Sequence, residues 1–358
     1  MKQRILQFLE KWIRKTPKSS QEIPLRSIKR ILIIRQHDQL GDFLLSTPVF
    51  RALRKRFPQA HLGLVVRTYT WPVALYNPNI DEVLIFPEKW KYFHIGRFLS
   101  FVKGLWKGWD LTIVLNTVSH SFSSDLIAFF SRARWVLGRE DMIFSGCQSN
   151  FFYNILVPAP SPELHQSLIN LKQVELLGIS MDCLEEQLIL TGHEQQQVRQ
   201  VLKALGVFEN QPLICVIPGA GKLENRWPLS KFSEFMNGMH QLHPKFQWIV
   251  SVGDQEIFLA QQLVTDLSFQ IAILKHVSLR TLAGVYGKSM LCIGNDTGTL
   301  HVAAAVGSRV IGIFGPTDPQ CWKPWGDRIV GIRAQDQKCS SVEVQCVLDA
   351  SEDLLRQA

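Results

Sequence analysis

MLCIGNDTGTLHVAAAVGSRVIGIFGPTDP, residues 290–319, is the stretch that decides the architecture of the chain. An apolar run ends at Gly294-Asn295, and two good helix-capping residues, Asp296 and Thr297, follow at once. A second apolar run, 310–314, ends in Gly315-Pro316-Thr317. Strand, capped helix, strand is the unit of a parallel sheet, whose ligands gather beyond the C-terminal strand ends. The first amides of a helix and the positive end of its dipole suit an anion such as a phosphate. Gly298 allows close approach, and Thr299 and His301 fall in the first turn. Asp296, Thr297, Gly298, Thr299 and His301 therefore read as a phosphate-facing turn, with plain helix capping as the alternative.

Working outward, the same alternation fills the chain. Strand-like runs stand at 212–217, 248–252 and 271–274 in this half, and at 31–34, 61–66, 82–86 and 110–115 in the other. Helical stretches lie at 48–57, 95–105 and 126–130, and a helix over 164–177 ends at Gly178. The reading is α/β: two Rossmann-like, doubly wound domains facing a cleft. The expected divisions are an arm at 1–28, a first domain at 29–185, a second at 186–335, and a tail and helix at 336–358 packing back on the first domain.

Other loops at the predicted strand ends carry polar residues. PGAGKLENRWPLSKF, residues 218–232, is Gly-rich and holds Lys222 and Arg226, cations able to neutralise a leaving diphosphate. It is not a Walker loop, and neither this loop nor the one after 31–34 has the glycine fingerprint of a nicotinamide enzyme. Glu256, in GDQE at 253–256, could accept hydrogen bonds from a ribose or partner a helix dipole. In QLGDFLL, Asp42 follows the first strand and suits a general base for an acceptor hydroxyl, with helix capping as the alternative and Asp38 and His37 as neighbouring competitors.

Charge is unevenly placed. Residues 1–30 hold nine Lys or Arg against Glu10 and Glu22, so this arm carries +7 of the chain's net +8. A basic arm on a nearly neutral body argues against a broad nucleic-acid face. Ile5, Phe8, Leu9, Trp12 and Ile13 recur at helical spacing, which suits an anionic membrane surface, the protein's own body or a second subunit. No apolar run approaches the roughly 20 residues of a membrane span, and charges interrupt the N-terminus too early for a signal peptide. The expectation is a cytoplasmic protein, with the arm as the element able to hold it peripherally on the inner face of the cytoplasmic membrane. The seven cysteines fit no common zinc spacing and read as free thiols.

LGDFLLSTPVFRALRKRFP (40–58), NPNIDEVLIF (77–86), RWPLSKF (226–232) and GNDTGTLHVAAAVGSRVIGIFGPTDP (294–319) together resemble glycosyltransferase family nine, the lipopolysaccharide heptosyltransferases. The resemblance runs from about Arg30 to the C-terminus. It implies a GT-B fold and inverting, metal-independent transfer from a nucleotide-sugar, typically ADP-heptose, to a lipid-linked saccharide, without a cofactor. Carried over by position, it implies Asp42 as base, Asp296 to Thr299 and His301 at the donor diphosphate and sugar, and Glu256 at the ribose. Three features depart from the common pattern. Asn225 stands where relatives often have Lys, leaving Lys222 or Arg226 to serve; the RQHDQLGD loop is one residue longer; and the Cys-rich tail is thinned to Cys339 and Cys346. The alternatives are a catalytically silent glycan- or partner-binding protein of the same fold at the membrane, and a nucleotide-sugar epimerase.

Overall fold

The structure, a computed structural model, describes residues 2–13, 15–88, 95–180 and 182–357. Its chain divides into two units, Met1–Leu184 and Glu185–Ala358.

In the first unit, strands β1 (Arg30–Ile34), β2 (His61–Arg67), β3 (Glu82–Phe86), β4 (Leu111–Val114), β5 (Trp135–Arg139) and β6 (Ile155–Val157) form one parallel sheet, ordered β3-β2-β1-β4-β5-β6. The second unit repeats it with β7 (Leu213–Ile217), β8 (Gln247–Ser251), β9 (Ala272–Leu274), β10 (Leu291–Asn295), β11 (Arg309–Phe314) and β12 (Ile329–Arg333), ordered β12-β11-β10-β7-β8-β9. Helices cover the sheets, which is why central strands such as LICVI of β7 are apolar and buried throughout. In each sheet the order reverses beside the first strand, between β1 and β4 and between β7 and β10. Loops leaving those strand ends diverge to opposite faces and leave room for a ligand.

Several elements differ from the sequence reading. β5, β6 and β12 had no counterpart in it. The helix expected over 164–177 is split into Gln166–Lys172 and a 3-10 turn, Glu175–Leu177, closed by Gly178 at φ +71°. The C-terminal helix, Val344–Arg356, expected to pack back on the first domain, belongs to the second unit. Its apolar stripe of Val344, Val347 and Leu354 is buried with Phe235, Met236 and Met239 of the helix Leu229–Leu242, inside the second unit's core.

The basic arm is also partly absorbed. Leu6 of the N-terminal helix Lys2–Ile13 is buried in the first unit's core, with Leu9 and Ile13 packed on it. Glu10 accepts from the amides of Gln148 and Ser149, Lys15 Nζ donates to Ala133 O at 3.1 Å, and Lys18 lies over the Trp135 ring. Phe8 and Trp12 stay exposed, their rings 5.8 Å apart. Arg14 lies outside the described residues, as do the side chains of Lys2, Arg4 and Ile5. Among the described residues no helix is long and apolar enough to cross a membrane.

Candidate active site

The second unit contains a cavity of about 590 Å³ at the ends of β7, β8, β9 and β10. Asn295, fully buried at the end of β10, builds it. Its Oδ1 accepts from Trp227 N at 2.8 Å and its Nδ2 donates to Pro218 O at 2.8 Å, stitching the β7 loop to the β10 turn. In the sequence Asn295 marks only the end of an apolar run, and nothing local shows that its side chain joins two loops. Trp227, buried in turn, donates from Nε1 to Val342 O at 3.0 Å.

Of the expected site residues, Arg226, Glu256, Thr297 and Thr299 line the cavity. Arg226 Nη2 donates to Ala220 O at 2.8 Å and to Glu256 Oε1 at 2.9 Å. The guanidinium thus holds the carboxylate expected at the ribose, and Glu256 Oε2 lies where a Cβ on Gly219 would come within 2.2 Å. Thr297 precedes the helix Gly298–Ala305 in extended conformation; Leu300 N donates back to Thr297 O at 3.0 Å, and the amides of Gly298 and Thr299, ahead of the first helical bond, are the ones left to open at the cavity. Val252, Leu274, Val277 and Leu282 supply an apolar wall on the β8–β9 side, suited to the face of a base. Tyr286, buried and hydrogen-bonded to Ser251 at 2.7 Å, forms part of the floor, and burial pushes its hydroxyl well up.

The remaining residues stand elsewhere. Asp296 is off the cavity wall and meets Asn225, whose Nδ2 is 3.4 Å from its Oδ2. Burial, helped by the charge of Asp296, pushes the nearby Cys339 thiol up to about 11. Gly298 opens the helix without itself lining the cavity. Lys222 and His301 are also off the cavity lining. Lys222 is exposed and pairs with Glu224 at 3.6 Å, away from the cavity lining, so Arg226 is the cation of this loop that reaches it. His301 is turned into the core, its Nδ1 2.7 Å from Glu186 Oε1, because the fourth residue of this short helix lies on the face packed against the sheet. Burial raises the Glu186 carboxyl against the pull of His301. This pair ties the helix Gly298–Ala305 to the core.

In the first unit, Asp42 lies half-buried on a five-residue helix, Leu40–Leu44, directly beyond β1. Leu40, Phe43 and Leu44 are buried, which leaves Gly41 and Asp42 on the open side. Arg35, at the end of β1 and 1% exposed, donates from Nη2 to the Asp42 main-chain oxygen at 3.0 Å. Across the switch point, the loop after β4 brings Thr117 to Arg35, and Ser121 and Ser124 to Gln36.

Lipopolysaccharide heptosyltransferase 3 of Escherichia coli K12 is 25% identical over 305 residues, covering 81% of this chain and 84% of that one. Among solved structures, a glycosyl transferase family 9 protein from Veillonella parvula superposes with a TM-score of 0.82 at 21% identity, covering 92% of this chain and 98% of that one. The E. coli heptosyltransferase WaaC with ADP gives 0.72 at 18%, covering 91% and 99%. The family model described as glycosyltransferase family 9 (heptosyltransferase) matches residues 98–351, well over half of a chain whose two sheets form the GT-B fold. The chain belongs to that family of glycosyltransferases.

Proposed function

We propose that this glycosyltransferase moves a heptose or related sugar from a nucleotide-sugar, ADP-heptose first among the donors, to a lipopolysaccharide core or other cell-surface glycan. The observation that carries the reading is the second unit's cavity, which joins an apolar wall, an Arg226–Glu256 pair and the amides of a helix N-terminus. That sequence of surfaces suits base, ribose and diphosphate. The relative's printed name, a lipopolysaccharide heptosyltransferase, supports the sugar, and a fold neighbour solved with ADP supports the nucleotide.

The transfer is a single displacement with inversion in this reading. Asp42 takes the proton of the acceptor hydroxyl, the oxygen attacks the anomeric carbon, and the bond to the diphosphate breaks with its electron pair leaving on phosphate oxygen. Arg226 and the helix amides supply positive charge to that leaving group, so the reading needs no metal ion and no cofactor. Transfer is measured with ADP-heptose and a deacylated lipopolysaccharide core oligosaccharide. Asp42→Asn should abolish it while calorimetry shows ADP binding unchanged; full transfer by that variant removes Asp42 as base. A donor panel of ADP, UDP, GDP and CDP should favour ADP, and Arg226→Ala, at a residue that lines the cavity, should weaken it. Preference for another nucleotide keeps the transferase and changes the sugar.

Asn225, in place of the lysine common in relatives, favours a second reading: a catalytically silent binding protein. Tight nucleotide binding without turnover across the donor panel would select it. The reading places the enzyme in the cytoplasm, peripherally on an anionic membrane through Phe8 and Trp12, the part of the arm that the core leaves exposed.

A further inference from the structure

The loop after β1 contains a buried charge arrangement that the proposed reaction does not use directly. Arg35 and Asp38 are 1% and 8% exposed, and the Arg35 Nε is ion-paired with Asp38 Oδ2. A buried ion pair seldom adds net stability over apolar packing, because desolvation costs about as much as the attraction returns. Its geometry suggests another use.

Every arm of the Arg35 guanidinium is engaged. Besides Asp38, it donates to the main-chain oxygen of Leu115, to Thr117 Oγ1 at 3.3 Å, and to the main-chain oxygen of Asp42 at 3.0 Å. The amides of Leu45 and Ser46 go to Gly41 and Phe43, so the Asp42 carbonyl has Arg35 as its donor in place of a helix amide. The guanidinium therefore joins the β1 end, the β4 loop and the residue read as the base. Asp38 is held independently by Arg67, from the end of β2, whose Nη1 donates to the Asp38 main-chain oxygen at 3.3 Å while its Nε pairs with Glu88 at 2.8 Å.

We propose that Arg35 and Asp38 are positioning residues for Asp42: Arg35 fixes its main chain, and the carboxylate of Asp38 cancels the guanidinium charge beside the Asp42 carboxylate. This rests on Asp42 being the base. The charged groups around Asp38 are Arg35, Arg67 and Asp42, with Glu88 offsetting Arg67. Burial and the charge of Asp42 push Asp38 up to about 7, against the pull of both arginines. Below that pH the proton on Asp38 leaves the Arg35 charge uncancelled; above it the pair is neutral. Turnover should therefore rise as pH passes through about 7.

The test follows kcat and KM of the full chain against pH, with ADP-heptose and deacylated lipopolysaccharide core oligosaccharide. Asp38→Asn should lower kcat about 10- to 100-fold, as misplacement of a reacting group does, with the donor KM unmoved. It should also lose the rise near neutrality, and Asp38→Glu should restore much of both. If Asp38→Asn does not fold, carboxylate NMR carries the test: the Asp38 midpoint should drop in Asp42→Asn, which removes one neighbouring negative charge. Wild-type kcat and an unchanged profile in Asp38→Asn overturn the proposal, as does an unmoved midpoint. Transfer by Asp42→Asn brings down the base reading itself, so the two failures are told apart.

Discussion

At Gly219 one added carbon would strike the carboxylate that the cavity is built around, 2.2 Å from Glu256 Oε2. Glu256 can swing away only by leaving Arg226, its partner at 2.9 Å. Gly219→Ala should therefore weaken ADP binding about tenfold, near 1.4 kcal/mol, with the melting temperature nearly unchanged. Calorimetry against ADP checks this, and wild-type affinity would mean that Glu256 does not meet the nucleotide. At this scale the gathering of Arg226, Glu256, Thr297 and Thr299 at one cavity was legible, because cations, carboxylates and hydroxyls beyond apolar strands collect at the strand ends. His301 was not, since whether the fourth residue of a helix faces ligand or core depends on the tilt of that helix on its sheet. Lys222 was not, since Lys222 and Arg226 differ in reach only once the turn between them has a shape.

Among the elements, the helix Gly192–Ala204 shows how local and distant forces combine. Thr191 and Glu194 form a capping box, and Glu194 also pairs with Arg280 of the helix Leu279–Lys288, with Nη2 to Oε2 at 2.8 Å. Arg280 first, then the Thr191 amide and hydroxyl, hold the Glu194 carboxyl down to about 2 against an ordinary 4.5. A depressed carboxylate stabilises the fold fully above its unfolded value and loses that contribution as pH falls from about 4.5 towards 2. Glu194→Gln should cost about 1 kcal/mol at pH 7 by urea unfolding, with the difference from wild type shrinking below pH 4. A constant difference across that range would show that the charge contributes nothing. That helix and its capping box were not read from sequence, and neither were β5 and β6. WVLGR and ILV are too short for a periodic pattern, and they become strands by pairing with β4 and with each other.

The whole molecule is two copies of one architecture with a basic arm. Leu6, Leu9 and Ile13 commit one side of the arm's helix to the first unit, while Phe8 and Trp12 remain outside. The double change Phe8→Ser, Trp12→Ser should therefore abolish binding to phosphatidylglycerol vesicles at low salt and leave transfer to a soluble acceptor intact. Unchanged vesicle binding would sink the membrane reading. Sequence alone determined the α/β class and the strand, turn and helix at the end of β10. Those follow from local patterns: apolar runs of strand length, capping residues and glycines at fixed offsets. Only the tertiary structure decided which side of each helix meets the core, where the C-terminal helix packs, and that Arg35 and Asp38 stand behind Asp42. These depend on residues far apart in the chain meeting in space, and no local pattern records which partners fill a buried surface or satisfy a buried charge.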